Sequence, residues 1–144
     1  MVIGGKPRRQ SVELISLQGQ EATPKCPVPD MMPEEMVGSV GAMVGGKVVV
    51  CGGWKVDKCY TYTGPREKKW VNLLNLDRPR QNAGSFQLDD GTWYILGGRD
   101  NTADGVNLDT TLILKDGVFR LGPRLPYATN NPCVAKVYYL DTIT

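Results

Sequence analysis

"VVVCGGW" occupies residues 48 to 54, an apolar strand-forming run that stops at Gly52-Gly53 and is followed by Trp54. β-branched side chains suit the pleated strand, whereas a glycine pair frees the backbone for conformations that a Cβ forbids. The same order returns twice. "MVIGG" closes at Gly4-Gly5 and "WYILGG" at Gly97-Gly98, so the doublets recur about every 45 to 50 residues. Gly45-Gly46 is out of that phase and precedes "KVVV", where a hairpin turn is expected.

The segments between doublets are ordered alike. Each doublet leads to a β-prone run: "SVELISL" (11–17), "CYTYT" (59–63) and "TTLIL" (110–114). A turn and a further strand follow, the strands lying around Cys26, Trp70 and Phe119. Asp116-Gly117, between "LILK" and "VFRL", is the strongest hairpin signal in the chain. Pro-rich loops come next, then strands rich in small residues: "VGSVGAM" (37–43), "NAGSF" (82–86) and "PCVAKV" (132–137). Helical periodicity is nowhere convincing. Four short antiparallel strands per repeat make a β-propeller blade, with small residues on the strand nearest the axis, where blades converge.

The chain resembles the kelch-repeat family, whose signature is an apolar strand ending in Gly-Gly, then a Tyr, then a Trp. The middle repeat carries it fully as Gly52, Gly53, Tyr62 and Trp70. The first keeps Gly4 and Gly5 but has Cys26 in the region of the Trp; the third keeps Gly97 and Gly98 but offers Phe119. The resemblance implies an all-β fold of kelch-type, four-stranded antiparallel blades, three to a chain.

The two ends of the sequence share one register. "VYYLDTIT" followed by "MVIGG" reads like "SFQLDDGTWYILGG", residues 85 to 98. One domain, 1–144, is therefore expected, with approximate repeats 1–36, 37–81 and 82–131. Residues 132–144 would then be the inner strand of a blade completed by residues 1–30 of a partner chain. Three blades leave too little room around an axis, and a half-ring exposes apolar faces and strand edges. A strand-exchanged homodimer forming a six-bladed ring is the expected assembly; a fragment of a longer chain is the other reading.

Composition sets the remaining bounds. A net charge of +2 gives no case for nucleic acid, and no apolar run approaches a membrane span. "KPRRQ" is too short a charge cluster to change that, and "GSVGAMVGG" lacks the Gly-Lys-Ser/Thr ending of a phosphate loop. Cys26, Cys51, Cys59 and Cys133 show no zinc spacing. They read as reduced core residues of a cytoplasmic protein, with a Cys51–Cys59 disulfide as the sharper alternative. No cofactor is expected.

Histidine is absent, which removes the commonest general base and metal ligand. The resemblance admits two enzyme types. A copper oxidase needs histidine; a sialic-acid isomerase needs channel-lining acids, and Glu34, Glu35 and Asp141 have no spacing that singles them out. The expected role is non-catalytic. In a blade, the loops after the second and fourth strands share one face: 4–11, 52–58 and 97–109, with 30–37, 75–82 and 122–132. They carry Arg8, Arg9, Trp54, Lys55, Arg78, Arg80, Arg99, Arg124 and Tyr127. Arginine and aromatics are enriched at binding hot spots, and the guanidinium fork suits carboxylates. In kelch-type adaptors of ubiquitin ligases this face captures acidic peptide segments, so the resemblance implies protein or acidic-peptide partners. Purely structural self-assembly is the competing role. Trp70, Trp93, Tyr60 and Tyr62 are expected to pack the blades, leaving Trp54 as the exposed aromatic.

Overall fold

The structure, a computed structural model, describes residues 2–3, 10, 12–13, 30–102, 104–135 and 137. The expectations placed on Gly4, Gly5, Arg8, Arg9, Cys26 and Asp141 lie outside these residues. Twelve strands and no helix occur among them. A two-stranded piece pairs β1 (Val2–Ile3) with β2 (Val12–Glu13). Sheet A follows as an antiparallel meander of β3 (Val40–Val44), β4 (Lys47–Cys51), β5 (Lys58–Tyr62) and β6 (Trp70–Asn75).

Sheet B repeats that order with β7 (Gly84–Gln87), β8 (Trp93–Leu96), β11 (Thr111–Lys115) and β12 (Val118–Leu121). A small hairpin of β9 (Arg99–Asp100) and β10 (Val106–Asn107) interrupts it, within a segment expected to be loop. The turn chemistry is as expected. Gly45-Gly46 has φ of 55° and 74°, and Asp116-Gly117 has 53° and 76°. Positive φ at both central residues is the two-residue turn whose twist matches paired strands.

Strand β4 explains its own uninterrupted apolar run. Alternate residues point to opposite faces of a sheet, and both faces are buried around Val49, Val50 and Cys51. Val49 and Cys51 join Val40, Cys59 and Leu76 against Trp93, Ile95, Leu112 and Leu114 of sheet B. Val50 and Tyr60 turn the other way, to Val12, Met32, Met36 and Trp70. Tyr62 lies tilted on Trp70 with ring centroids 5.5 Å apart, and the indole Nε1 donates to the Asp30 carbonyl at 3.0 Å. Trp70, Trp93 and Tyr60 are buried, as blade packing requires.

The glycine doublets are where successive units touch. Gly52 and Gly97 have φ of 71° and 60°, and a Cβ on either would sit 2.7 Å from a carbonyl oxygen, that of Arg80 or Thr129. Backbone bonds repeat the step: Gly53 N–H donates to Arg80 C=O at 3.0 Å and Gly98 N–H to Thr129 C=O at 2.9 Å. The segments entering each unit are chained the same way. Asn82 N–H donates to Gly38 C=O at 2.7 Å, and Asn131 N–H to Asn82 C=O at 2.9 Å. Positions 38, 82 and 131 are thus equivalent in their backbone bonding.

The reading of the cysteines is corrected. Cys51 and Cys59 are joined in a disulfide, the alternative reading, and Cys133 is free and exposed rather than core. The pair stands directly opposed on β4 and β5, with Cα atoms 4.0 Å apart. Gly52 N–H donates to Lys58 C=O at 3.0 Å beside it, so the cysteines hold the non-hydrogen-bonded position, where cross-strand side chains approach closest. Disulfides persist in oxidising surroundings, which removes the cysteine argument for the cytoplasm. Residues 132–135 and 137, expected as part of an inner strand whose blade a partner chain completes, pair with no strand among the described residues of the single chain. Their alternating exposure and their contact with β7 place them beside sheet B.

Candidate partner-binding face

The loops that enter and leave the sheets at the doublet end are laced by backbone hydrogen bonds. Trp54 N–H donates to Val37 C=O at 3.0 Å. Arg99 and Gln81 exchange N–H···O=C bonds of 2.8 and 3.0 Å. Thr129 N–H reaches Leu108 C=O at 3.0 Å, and Leu125 N–H reaches Asp109 C=O at 2.7 Å. One end of the stack therefore gathers segments 30–37, 52–58, 75–82, 97–109 and 122–132, the grouping expected from the repeats.

The sequence-selected residues divide once their partners are known. Tyr127 is 83 % exposed and Trp54 42 % exposed. Lys55 places its Nζ 5.0 Å from the Trp54 ring centroid, a cation held over an aromatic face. Arg78 is half exposed, with Nε 3.4 Å from Asp77 Oδ2. Arg124 is exposed and donates from Nη1 to Asp109 Oδ2 at 2.8 Å. Arg99 is fastened to its own hairpin, donating from Nε to Asn101 Oδ1 at 3.0 Å and from Nη1 to Asn107 Oδ1 at 3.4 Å. Asn101 Nδ2 passes this on to Gln81 Oε1 at 2.6 Å.

Arg80 is a correction. Its side chain is fully buried, so it presents nothing to a partner. All five N–H donors of the guanidinium are used. Nε and Nη2 hold Asp77 bidentately at 3.1 Å each. Nη1 donates to Gly97 C=O at 2.9 Å and Thr110 C=O at 3.0 Å, and Nη2 to Thr110 Oγ1 at 2.7 Å. This residue ties the segment entering sheet B to the doublet and third strand of that same sheet. A buried arginine persists only when paired and saturated in this way.

Carboxylates sit among the cations. Asp100 is held below the usual carboxylate range, first by the side-chain hydrogen bond from Thr102, then by the Thr102 N–H and the charges of Arg78 and Arg80; partial burial opposes the shift. A second cluster went unnoticed in the sequence: Lys58 ion-pairs with Glu34 beside Tyr60. The Glu34 hydrogen bond and charge hold the Lys58 ammonium above its ordinary value. Burial first, then Glu34, raises the Tyr60 hydroxyl. Only the pairing of loops 30–37 and 52–58 could have revealed it. The face is thus of mixed charge and carries two exposed aromatic side chains, Tyr127 and Trp54. Among the described residues no helix is long and apolar enough to cross a membrane.

No family model matches the chain. No curated protein matches it either. Among solved structures, that of YjhT is similar, with a TM-score of 0.57 and 19 % identity over 68 % of this chain. The match covers 30 % of YjhT, so the chain corresponds to less than a third of that protein. A likeness at this identity is one of fold: it accords with an all-β, propeller-like arrangement of four-stranded antiparallel sheets.

Proposed function

We propose that the chain is a run of kelch-type propeller blades that acts as a non-catalytic interaction module. Its doublet end takes a protein or peptide partner with acidic segments, and a second copy brings the three units to a six-bladed ring. The observation that carries the binding role is the placement of Trp54 and Tyr127. Both are exposed on loops fixed to the sheets by backbone hydrogen bonds. Large aromatics held on a rigid frame supply contact area at low entropic cost. Lys55 stands beside Trp54, Arg78 and Arg124 are further cations with exposed side chains on the same group of loops, and Arg80 braces the frame from within.

Fluorescence anisotropy against a panel of acidic peptides tests this reading. Saturable binding that weakens with salt is expected, with Trp54→Ala or Tyr127→Ala lowering affinity about 30-fold. Arg78→Ala is expected to lose about 5-fold, in line with a charge already shared with Asp77. Binding that ignores all three substitutions removes the assignment of this face.

A further inference from the structure

Among the described residues, one face of sheet A holds an unfilled position. A groove of about 450 Å³ runs along its inner half, lined by Val40, Gly41, Ala42, Met43, Val48 and Val50. Gly41 and Met43 pair across the strands with Val50 and Val48, so these four share the face turned away from sheet B. Met43 is 52 % exposed there.

Sheet B shows what belongs in that place. Aligning Gly52 with Gly97 sets Val48 and Val50 against Trp93 and Ile95, and Met43 against Gln87. In sheet B those residues are covered by sheet A: Trp93 and Ile95 are fully buried, and Gln87 Nε2 donates to Met43 C=O at 2.7 Å. Val40 packs into that core with Ala42 and Val44 alongside, all three from β3. The groove on sheet A is therefore the seat of an inner strand that presents small or branched apolar residues at alternate positions.

The chain carries such a strand elsewhere. Since 38, 82 and 131 are equivalent, Cys133, Ala135 and Val137 correspond to Val40, Ala42 and Val44. Pro132 and Val134 lean on β7, where a Cβ on Gly84 would meet them at 2.8 and 2.4 Å. Cys133, Ala135 and Val137 face outward and are exposed, Val137 at 68 %. Among the described residues they cover nothing.

We propose that the segment around Cys133–Val137 of a second copy of this chain seats in the groove beside β3, its Cys133, Ala135 and Val137 covering Val48 and Val50 as β3 covers Trp93 and Ile95. The contact is head-to-tail, and two such contacts related by a two-fold axis close the pair. The inference rests on reading the sheets as successive blades and specifies the second-copy partner of that reading.

Sedimentation velocity of the full chain at about 10 µM is expected to show a dimer. Ala135→Asp and Val137→Asp each place a charge in the seated strand, and Met43→Glu places one in the groove. Each is expected to weaken dimerisation about 100-fold or more. All three positions are exposed in the single chain, so the variants remain folded monomers with unchanged near-ultraviolet dichroism. A monomeric wild-type chain overturns the proposal, and so does a dimer indifferent to the three charges. A dimer weakened by Met43→Glu alone assigns the groove to another occupant and overturns it too. Peptide affinity at Trp54 is read separately: kept in a chain that never dimerises, it leaves the binding face standing and removes only the docking.

Discussion

Sheet A and sheet B share a strand order and a glycine doublet pressed against a carbonyl, yet they are buried differently. Sheet A packs on both faces and carries a disulfide between its second and third strands. At the corresponding positions sheet B has Leu96 opposite Thr111. Its face away from sheet A is apolar but half-buried: Phe86 and Tyr94 stack at 4.7 Å, and Leu96 and Ile113 lie beside them. Sheet A is fastened by covalent chemistry within one sheet. Sheet B is fastened by Arg80, which ties its entering segment to its own doublet. One meander can thus be stabilised through its ladder or through its connections, and the two devices fail in different ways.

Trp93→Ala attacks what both sheets share. It empties the fully buried centre of the inter-sheet core and is expected to cost about 3–5 kcal/mol in urea unfolding, with the two sheets losing structure together. Arg80→Ala breaks the fastening of sheet B alone. It removes the bidentate partner of Asp77 and the guanidinium donors to the Gly97 and Thr110 carbonyls, costs about 3 kcal/mol, and lowers hydrogen-exchange protection in β8 and β11 before β4 and β5. Its effect on peptide affinity should track the lost stability, unlike that of Trp54→Ala. Replacing both Cys51 and Cys59 by Ala reverses the pattern. The loop closed is short, so about 2–3 kcal/mol is lost, and protection falls first in β4 and β5.

Phe86→Ala sharpens the contrast between faces. On a half-buried face it costs about 1–2 kcal/mol, below the 3–5 kcal/mol of a fully enclosed aromatic. The smallest effect concerns acid. Asp100 has a folded-state pKa below its ordinary 3.8, so its contribution is complete above that value and is lost as pH falls through the lower folded one. Asp100→Asn should flatten the acid limb of the stability curve by lowering stability slightly at neutral pH and leaving pH 2 nearly unchanged, which thermal melts from pH 2 to pH 7 can resolve.

The parts legible in the sequence were those governed by neighbours along the chain. "VVVCGG" and "WYILGG" announce a strand and its glycine stop because β-branching and positive φ are local properties. Gly45-Gly46 and Asp116-Gly117 announce turns for the same reason. Arg80 was misread because its flanks, "RPRQ", look like any exposed polar loop. What turns it inward is a position, the one Met36 fills in the preceding unit and Thr129 in the next, and only alignment of the loops between units exposes that. The Cys51–Cys59 pairing was legible as geometry, since the two flank one hairpin, but composition favoured the reduced state. The groove beside β3 left no mark in the sequence, because it is defined by what fails to cover it.

The disulfide of sheet A also imposes an order of events. Its sulfurs lie under Trp93 and Ile95, with both cysteines fully buried. A ribosome delivers roughly 5–20 residues per second, whereas thiol oxidation takes seconds to hours. Sheet B therefore arrives while the thiols are still waiting, and it shuts them away. Either the oxidant acts on a nascent chain whose second sheet is held off, or the finished protein must part its sheets to be oxidised. In the mature protein the same lid guards against reductants, so the rate of cleavage by excess thiol should plateau at the rate of sheet parting and become a clock for that motion.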